Sequence, residues 1–245
     1  MSENGAIRLN KFISDSGYCS RREADKLIEQ KRVSINGKVP ELGTKVMPGD
    51  QVSVDGKPVG ASAEDKSDRV YIAYNKPVGI ICTTERDVQG NIVDAIGHRQ
   101  RIFPIGRLDK DSEGLIFLTT DGDIVNKILR AGNEHEKEYL VTVNQPVSER
   151  FVRQMSQGVP ILGTITKPCQ VKATGRFSFR IILTQGLNRQ IRRMCEFLGY
   201  QVVRLKRERI MQVQLGNLKP GQWRNLTEAE MGQINQAVRY SSKTV

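Results

Sequence analysis

The chain has 245 residues, 38% hydrophobic and 27% charged, so it can build a packed core and is not globally disordered. Four scattered cysteines and only two histidines, His98 and His135, argue against a disulfide scaffold and against a histidine-based metal centre. The formal net charge of +11 calls for an anionic partner or serves solubility, and position decides between them. From Arg8 to Lys38 there are eight Lys/Arg against four Asp/Glu, and from Gly186 to Ile210 seven against two. Two separate basic clusters suit a nucleic acid held at two places.

The first segment, "RLNKFISDSGYCSRREADKLIEQKRVSINGKV", predicts two short helices. Leu9, Phe12 and Ile13 have helical spacing, and Gly17 ends that helix. "SRRE" predicts a capping box, with Ser20 as the cap and Glu23 reaching back. Ala24, Leu27 and Ile28 give the buried stripe, and Arg21, Arg22 and Lys26 fall off it and must project outward. Asn36-Gly37 and Asp55-Gly56 are hairpin signals. The expected module covers residues 6–57, and the small, polar, aperiodic stretch 58–69 is expected to be a linker.

A second domain, 70–245, is expected to open with strands around a Lys76–Gly79 turn. "GLIFLTT" predicts a strand, "DGDIVNKILRAG" a helix capped by Asp121 and stopped by Gly132, "KEYLVTVN" a strand and "SERFVRQMSQG" a helix. "KPCQVKATGRFSFRIILTQG" predicts two strands joined at Thr174-Gly175. "NRQIRRMCEFLGY" predicts a helix with Ile191, Met194, Cys195 and Leu198 inside; "YQVVRLKRERIMQVQLG" returns to strand, and "TEAE" predicts a second capping box before a last helix. Without a regular βαβ rhythm, this order implies an α+β domain on an antiparallel or mixed sheet. The longest apolar runs, such as Gly114–Leu118, are too short to span a bilayer, and the N-terminus has no apolar signal core, so a cytoplasmic protein without membrane attachment is expected.

Two stretches carry candidate chemistry. In "GRLDKDSEGLIFLTT", Asp109, Asp111 and Glu113 begin like a calcium loop. The twelfth position is Thr120 rather than a bidentate glutamate, and an apolar strand follows where a helix belongs, so that reading fails. Asp109 is then either a turn or surface residue or a working carboxylate. In "QGLNRQIRRMC", Arg189, Arg192 and Arg193 open a helix against its own dipole. A solvated face accounts for Arg193, while Arg192 adjoins the buried stripe and suits an inward ion pair. Asp109–Arg192 is one such pair, although spacing does not join them.

These stretches, with "NKPVG", "EKEYLV", "LKPGQWRNLT" and the N-terminal unit, resemble the RsuA-like family of RNA pseudouridine synthases, and most resemble its F-type, large-subunit rRNA branch. The resemblance runs from about Arg8 to about Glu230 with the motifs in order. It implies a small alpha-L RNA-binding motif followed by a larger catalytic domain that converts uridine to pseudouridine in structured RNA. By motif, Asp109 matches the family's essential aspartate, and Arg107 the side chain that fills the gap left by a flipped base. Tyr139 matches the residue that stacks on that base, Arg192 the aspartate's partner, Ile191 the apolar floor, and Lys76 with Pro77 a support of the pocket. Arg21, Arg22, Lys26, Arg107, Arg189 and Arg193 are expected to contact RNA. No cofactor, metal or obligate protein partner is implied, and a monomer is expected. The first-choice substrate is 23S rRNA, and a tRNA anticodon-region uridine is second. A non-catalytic RNA-binding or ribosome-assembly factor is the alternative from another class.

Overall fold

A computed structural model describes residues 5–60, 69–129 and 135–239. They form two compact units, one comprising residues up to 69 together with 120–122, the other comprising 70–119 and the residues from 123 onward.

The first unit runs β1 (Ile7–Arg8), α1 (Leu9–Asp15), α2 (Arg21–Glu29), β2 (Val33–Ile35), β3 (Lys45–Val46), β4 (Val52–Val54) and β5 (Lys57–Val59). The Ser20 hydroxyl accepts from the Glu23 amide at 3.1 Å, and the Glu23 carboxylate accepts from the Ser20 amide at 2.7 Å, which completes the expected capping box. Leu9, Ile13, Ala24, Ile28, Val46, Val52 and Val54 close one core. Asp55-Gly56 turns β4 into β5, both residues at positive φ as that tight turn demands. Asn36-Gly37 also turns, but only an isolated Ile35–Lys38 bridge follows, and β2 pairs with β4 instead. Pro40, which lacks an amide hydrogen, stands two residues on. Pro58 and Val59, expected in the linker, belong to β5, with Val59 buried in the core; residues 61–68 lie outside the described residues.

The second unit continues with β6 (Tyr71–Lys76), α3 (Ile92–Ile96), β7 (Phe103–Ile105), β8 (Glu113–Thr119), α4 (Gly122–Leu129), β9 (Lys137–Val143), α5 (Glu149–Gln157), β10 (Pro160–Ile161), β11 (Thr164–Ile165), β12 (Gln170–Gly175), β13 (Ser178–Leu183), α6 (Gln190–Phe197), β14 (Val202–Ile210), β15 (Val213–Gln214), β16 (Trp223–Asn225) and α7 (Glu228–Arg239). A nine-stranded sheet carries the order β12-β13-β9-β14-β8-β6-β16, with β15 on β14 and β7 on β8. All its pairings are antiparallel except β14 with β8, so the sheet is mixed, as the expected α+β class requires.

The apolar run of β8 is continuous because both its faces are buried. Leu115 and Phe117 enter a core with Ile124, Ile128 and Ile234, whereas Ile116 and Leu118 enter another with Ile72, Tyr74 and Ile92. A third core joins β9 and β13 to α5 and α6 through Val141, Phe151, Phe179, Ile191 and Met194.

Several local expectations shift. The β12–β13 turn is Arg176-Phe177, since Gly175 still pairs with Ser178. The α4 helix begins directly after Asp121, which pairs with Arg69, and the expected stop at Gly132 lies outside the described residues. After the Lys76–Gly79 turn, only an isolated Ile81–Asn91 bridge forms in place of a second strand. Thr227 caps the amide of Glu230 at 3.1 Å, but the Glu230 carboxylate takes Arg224 at 3.0 Å instead of reaching back. A guanidinium offers a charge-assisted bond that a backbone amide does not match. Among the described residues no helix is long and apolar enough to cross a membrane.

Candidate active site

The loop Gly106–Ser112 leads from β7 into β8, and β9, β14 and the turn before α6 stand across from it around a cavity of about 600 Å³. Its lining includes Arg107, Asp109, Lys137, Tyr139, Arg189, Ile191 and Arg207. Tyr139 is there by strand period: on β9 it shares a face with Lys137 and with buried Val141 and Val143. It pairs with Ile181 on β13 and Arg207 on β14. Ile191 is buried at the start of α6, and its side chain meets the third core as well as the cavity.

Asp109 is half-buried, its side chain 35% exposed. The arginine beside it is Arg189, at 3.5 Å, and not Arg192. This corrects the expected pairing, and the backbone supplies the reason. Arg189 occupies the left-handed region (φ 49°, ψ 37°) at the start of α6. That conformation is uncommon outside glycine and aims the side chain back toward the loop. There its guanidinium also grips Asp111 at two points, 3.2 and 3.1 Å. Those two bonds, chiefly, hold the Asp111 carboxyl below its usual range, and the charge of Arg192 adds to the effect. The unfavourable start of a helix with cations is thus offset by two carboxylates.

Arg192 is buried, but its partners belong to the loop itself: the Asp111 carbonyl at 3.0 Å, the Ser112 hydroxyl at 3.0 Å and the Asp111 carboxylate at 3.5 Å. It splints the turn that carries Asp109 rather than touching Asp109. Lys76 does not line the cavity either. Its ammonium is fully buried and donates to the carbonyls of Pro77 and Ile80 at 2.9 Å and of Lys110 at 3.5 Å. Burial lowers its pKa. It ties the Lys76–Gly79 turn to the residue following Asp109, so the site is held from behind by two cations. Arg193 turns to Asn188, its Nε donating to the backbone carbonyl at 3.0 Å, and stays off the cavity. Arg107 is exposed on the cavity wall. In the first unit, Arg21, Arg22 and Lys26 all lie on the exposed side of α2.

Two wall residues escaped the sequence reading. Arg207 is buried, donates from Nε to the Leu115 carbonyl at 2.7 Å, and sits 6.0 Å over the Tyr139 ring. In the run "RLKRER" nothing distinguishes it from a surface cation. Lys137 stands two residues before Tyr139, and period-two reasoning could have placed it on the same face. Beside them, Gly114 has φ +108°, and a Cβ there would collide with the backbone of Arg207. Only glycine lets β14 approach β8 at the short parallel joint where Arg207 faces Gly114.

A half-exposed carboxylate, an aromatic ring and a wall of guanidinium and ammonium groups suit an anionic ligand that carries a ring. The profile of the RNA pseudouridylate synthase family matches residues 70–197, and that of the S4 domain matches residues 7–52. The chain belongs to the RNA pseudouridine synthase family, and its reaction is the isomerisation of uridine in RNA. It is 57% identical to the dual-specificity RNA pseudouridine synthase RluF of Escherichia coli, covering 100% of this chain and 84% of the relative. It is 35% identical to the ribosomal large subunit pseudouridine synthase B of Bacillus subtilis, over 93% and 95% of the two chains. A crystal structure of a pseudouridylate synthase superposes with a TM-score of 0.67 at 28% identity, over 93% of this chain and 99% of that one.

Proposed function

We propose that the 600 Å³ cavity is where a uridine flipped out of folded RNA is isomerised, with Asp109 acting on the ribose. The observation that carries this reading is the meeting, in one cavity, of a solvent-reaching carboxylate and the Tyr139 ring. A uracil in a stack cannot be reached, so it must leave at a cost of about a few kcal/mol. Arg107 fills the vacancy it leaves, and Tyr139 stacks on the ring, an interaction of about 1–3 kcal/mol. Ile191 floors the pocket. Arg189 and Arg192 hold the Asp109 loop, and Lys76 anchors it from behind. Asp109 acts either as a nucleophile at the anomeric carbon or as a base on the sugar.

The substrate is large-subunit rRNA first and a tRNA anticodon-region uridine second, and the protein works in the cytoplasm, where such RNA is made. In support, one relative is named a dual-specificity RNA enzyme and another a ribosomal large subunit enzyme. The first unit supplies affinity through Arg21, Arg22 and Lys26, and residues 70–245 supply the chemistry. The test is tritium release from 5-tritiated rRNA and tRNA, followed by pseudouridine mapping in RNA from a deletion strain. Loss of an rRNA site on deletion is expected. Loss confined to tRNA would overturn the substrate order, and full tritium release by Asp109→Asn would overturn the site.

A further inference from the structure

The cavity contains more positive charge than holding Asp109 requires. Arg189 is matched by Asp109 and Asp111, and Arg192 by the turn it splints. Among the described residues, Lys137 and Arg207 have no carboxylate partner. The Arg207 guanidinium is buried, and among the described residues its one hydrogen bond goes to a backbone carbonyl. Among the described residues, the half-buried Lys137 makes one long bond from its ammonium, 3.4 Å, to the His135 carbonyl, one of the three that group can donate. Lys137 sits opposite Leu183 on β13 and Ile210 on β14, both of which line the cavity. Two cations side by side in a partly desolvated wall repel each other, an arrangement that costs stability unless an anion arrives.

Taking that cavity as the reaction site, we propose that Lys137, with Arg207 beside it, stabilises the negative charge on the uracil ring while the ring is detached from the ribose. When the bond from N1 to the anomeric carbon breaks, its electron pair leaves with the base and spreads onto the two carbonyl oxygens. The ribose side is balanced by Asp109, through an ester bond or through taking up the sugar proton. The ring then turns, and carbon-5 bonds to the anomeric carbon as the ester bond to Asp109 breaks or as Asp109 returns its proton to the sugar; the carbon-5 proton then departs, and N1 gains one. Between the two bonds the ring is anionic, and a donor already in place on the wall needs no reorganisation to meet it. Arg207 guides the same charge but also anchors Leu115, so Lys137 is the residue to test.

Burial chiefly, and Arg207 secondarily, bring the Lys137 pKa down to about 8. The charged and titratable groups around it are Arg207 on β14, Tyr139 on its own strand, His135 two residues before it, Arg107 and Asp109 on the loop, and Arg189 before α6. A pKa that low places its titration within reach of an assay. Because the protonated form is the active one, its contribution is complete well below pH 8 and lost above it.

The experiment is single-turnover tritium release between pH 6 and 10, with RNA affinity measured in parallel. It uses whichever 5-tritiated RNA, ribosomal or transfer, the wild-type protein turns over. The wild-type rate is expected to fall above about pH 8. Lys137→Met should lose about 10²–10³-fold in rate, the scale of one preorganised donor, with affinity within twofold. Lys137→Arg should stay within about tenfold of wild type and lose the limb at pH 8, because arginine does not titrate there. Three results overturn the proposal: a wild-type rate that rises through pH 8, which would make the neutral amine a base; a Lys137→Met defect confined to affinity and its salt dependence, which would make Lys137 a phosphate contact; and an unchanged Lys137→Met rate. Asp109→Asn in the same assay separates this inference from the reading of the site: an inactive Asp109→Asn beside a normal Lys137→Met sinks this inference alone, whereas a normal Asp109→Asn sinks the reading on which it rests.

Discussion

The two basic clusters look alike in sequence, but only the second buries cations. On α2, Arg21, Arg22 and Lys26 are exposed and lie away from the buried Ala24 and Ile28. Around α6 and β14, Arg192 and Arg207 are buried and spend their hydrogen bonds on the loop before β8 and on β8 itself, while Arg189 clamps two aspartates. Cations of the first kind act at range and are screened by salt. Those of the second kind set backbone geometry and local charge, and salt hardly reaches the buried Arg192 and Arg207. Net charge alone therefore says nothing about which arginines bind RNA.

Substitutions can break this contrast, and the largest effect is expected at Asp109. Asp109→Asn keeps the shape and removes the charge, so turnover should become undetectable while RNA affinity stays within about twofold, as tritium release and filter binding would show. Next comes Gly114→Ala. The added methyl meets the Arg207 backbone, so the β8–β14 joint must open, at about 3 kcal/mol or more. Thermal unfolding of the second unit should move down accordingly; an unchanged transition would mean the joint has slack.

Arg192→Met and Arg189→Met sharpen the difference between splint and clamp. Arg192→Met strips two bonds from the turn and should cost about 1–3 kcal/mol of stability, read by denaturant unfolding. Arg189→Met should instead change the pH profile. Asp111, held below its usual range mainly by Arg189, stabilises the fold above its unfolded value, and that contribution is lost as pH falls through its lowered folded value. Without Arg189 that margin should shrink, so the two stability curves should converge in acid. The smallest effect is expected on α2: Arg21→Ala with Arg22→Ala should weaken RNA binding about tenfold at moderate salt and flatten the log–log salt slope by about 1.5, with the chemical step untouched. An unaltered slope would move the phosphate contacts elsewhere.

Much of this molecule was legible in its sequence because the signals are local. The capping box at Ser20 and Glu23, the Asp55-Gly56 turn and the α5 helix depend on neighbours a few residues away, and all stand where the sequence predicts them. The shifted β12–β13 turn and the half-used box at Thr227 show where this fails: each was settled by a partner, Ser178 or Arg224, whose competing bond sequence spacing does not weigh.

The chain's pattern by itself determined two units, their order, the α+β class and the family, since hydrophobic period and motif order are written along one dimension. Tertiary structure alone decided which arginine meets Asp109. Arg189 and Arg192 are three residues apart, both cationic and both near a helix start, and only the left-handed turn at Arg189 sends one to the carboxylate and the other to the loop backbone. It also decided that Lys137 and Arg207 share a wall, because pairing of β9 with β14 sets Arg207 opposite Tyr139, two residues along from Lys137, and charge in a low-dielectric wall depends on distance and burial rather than on sequence.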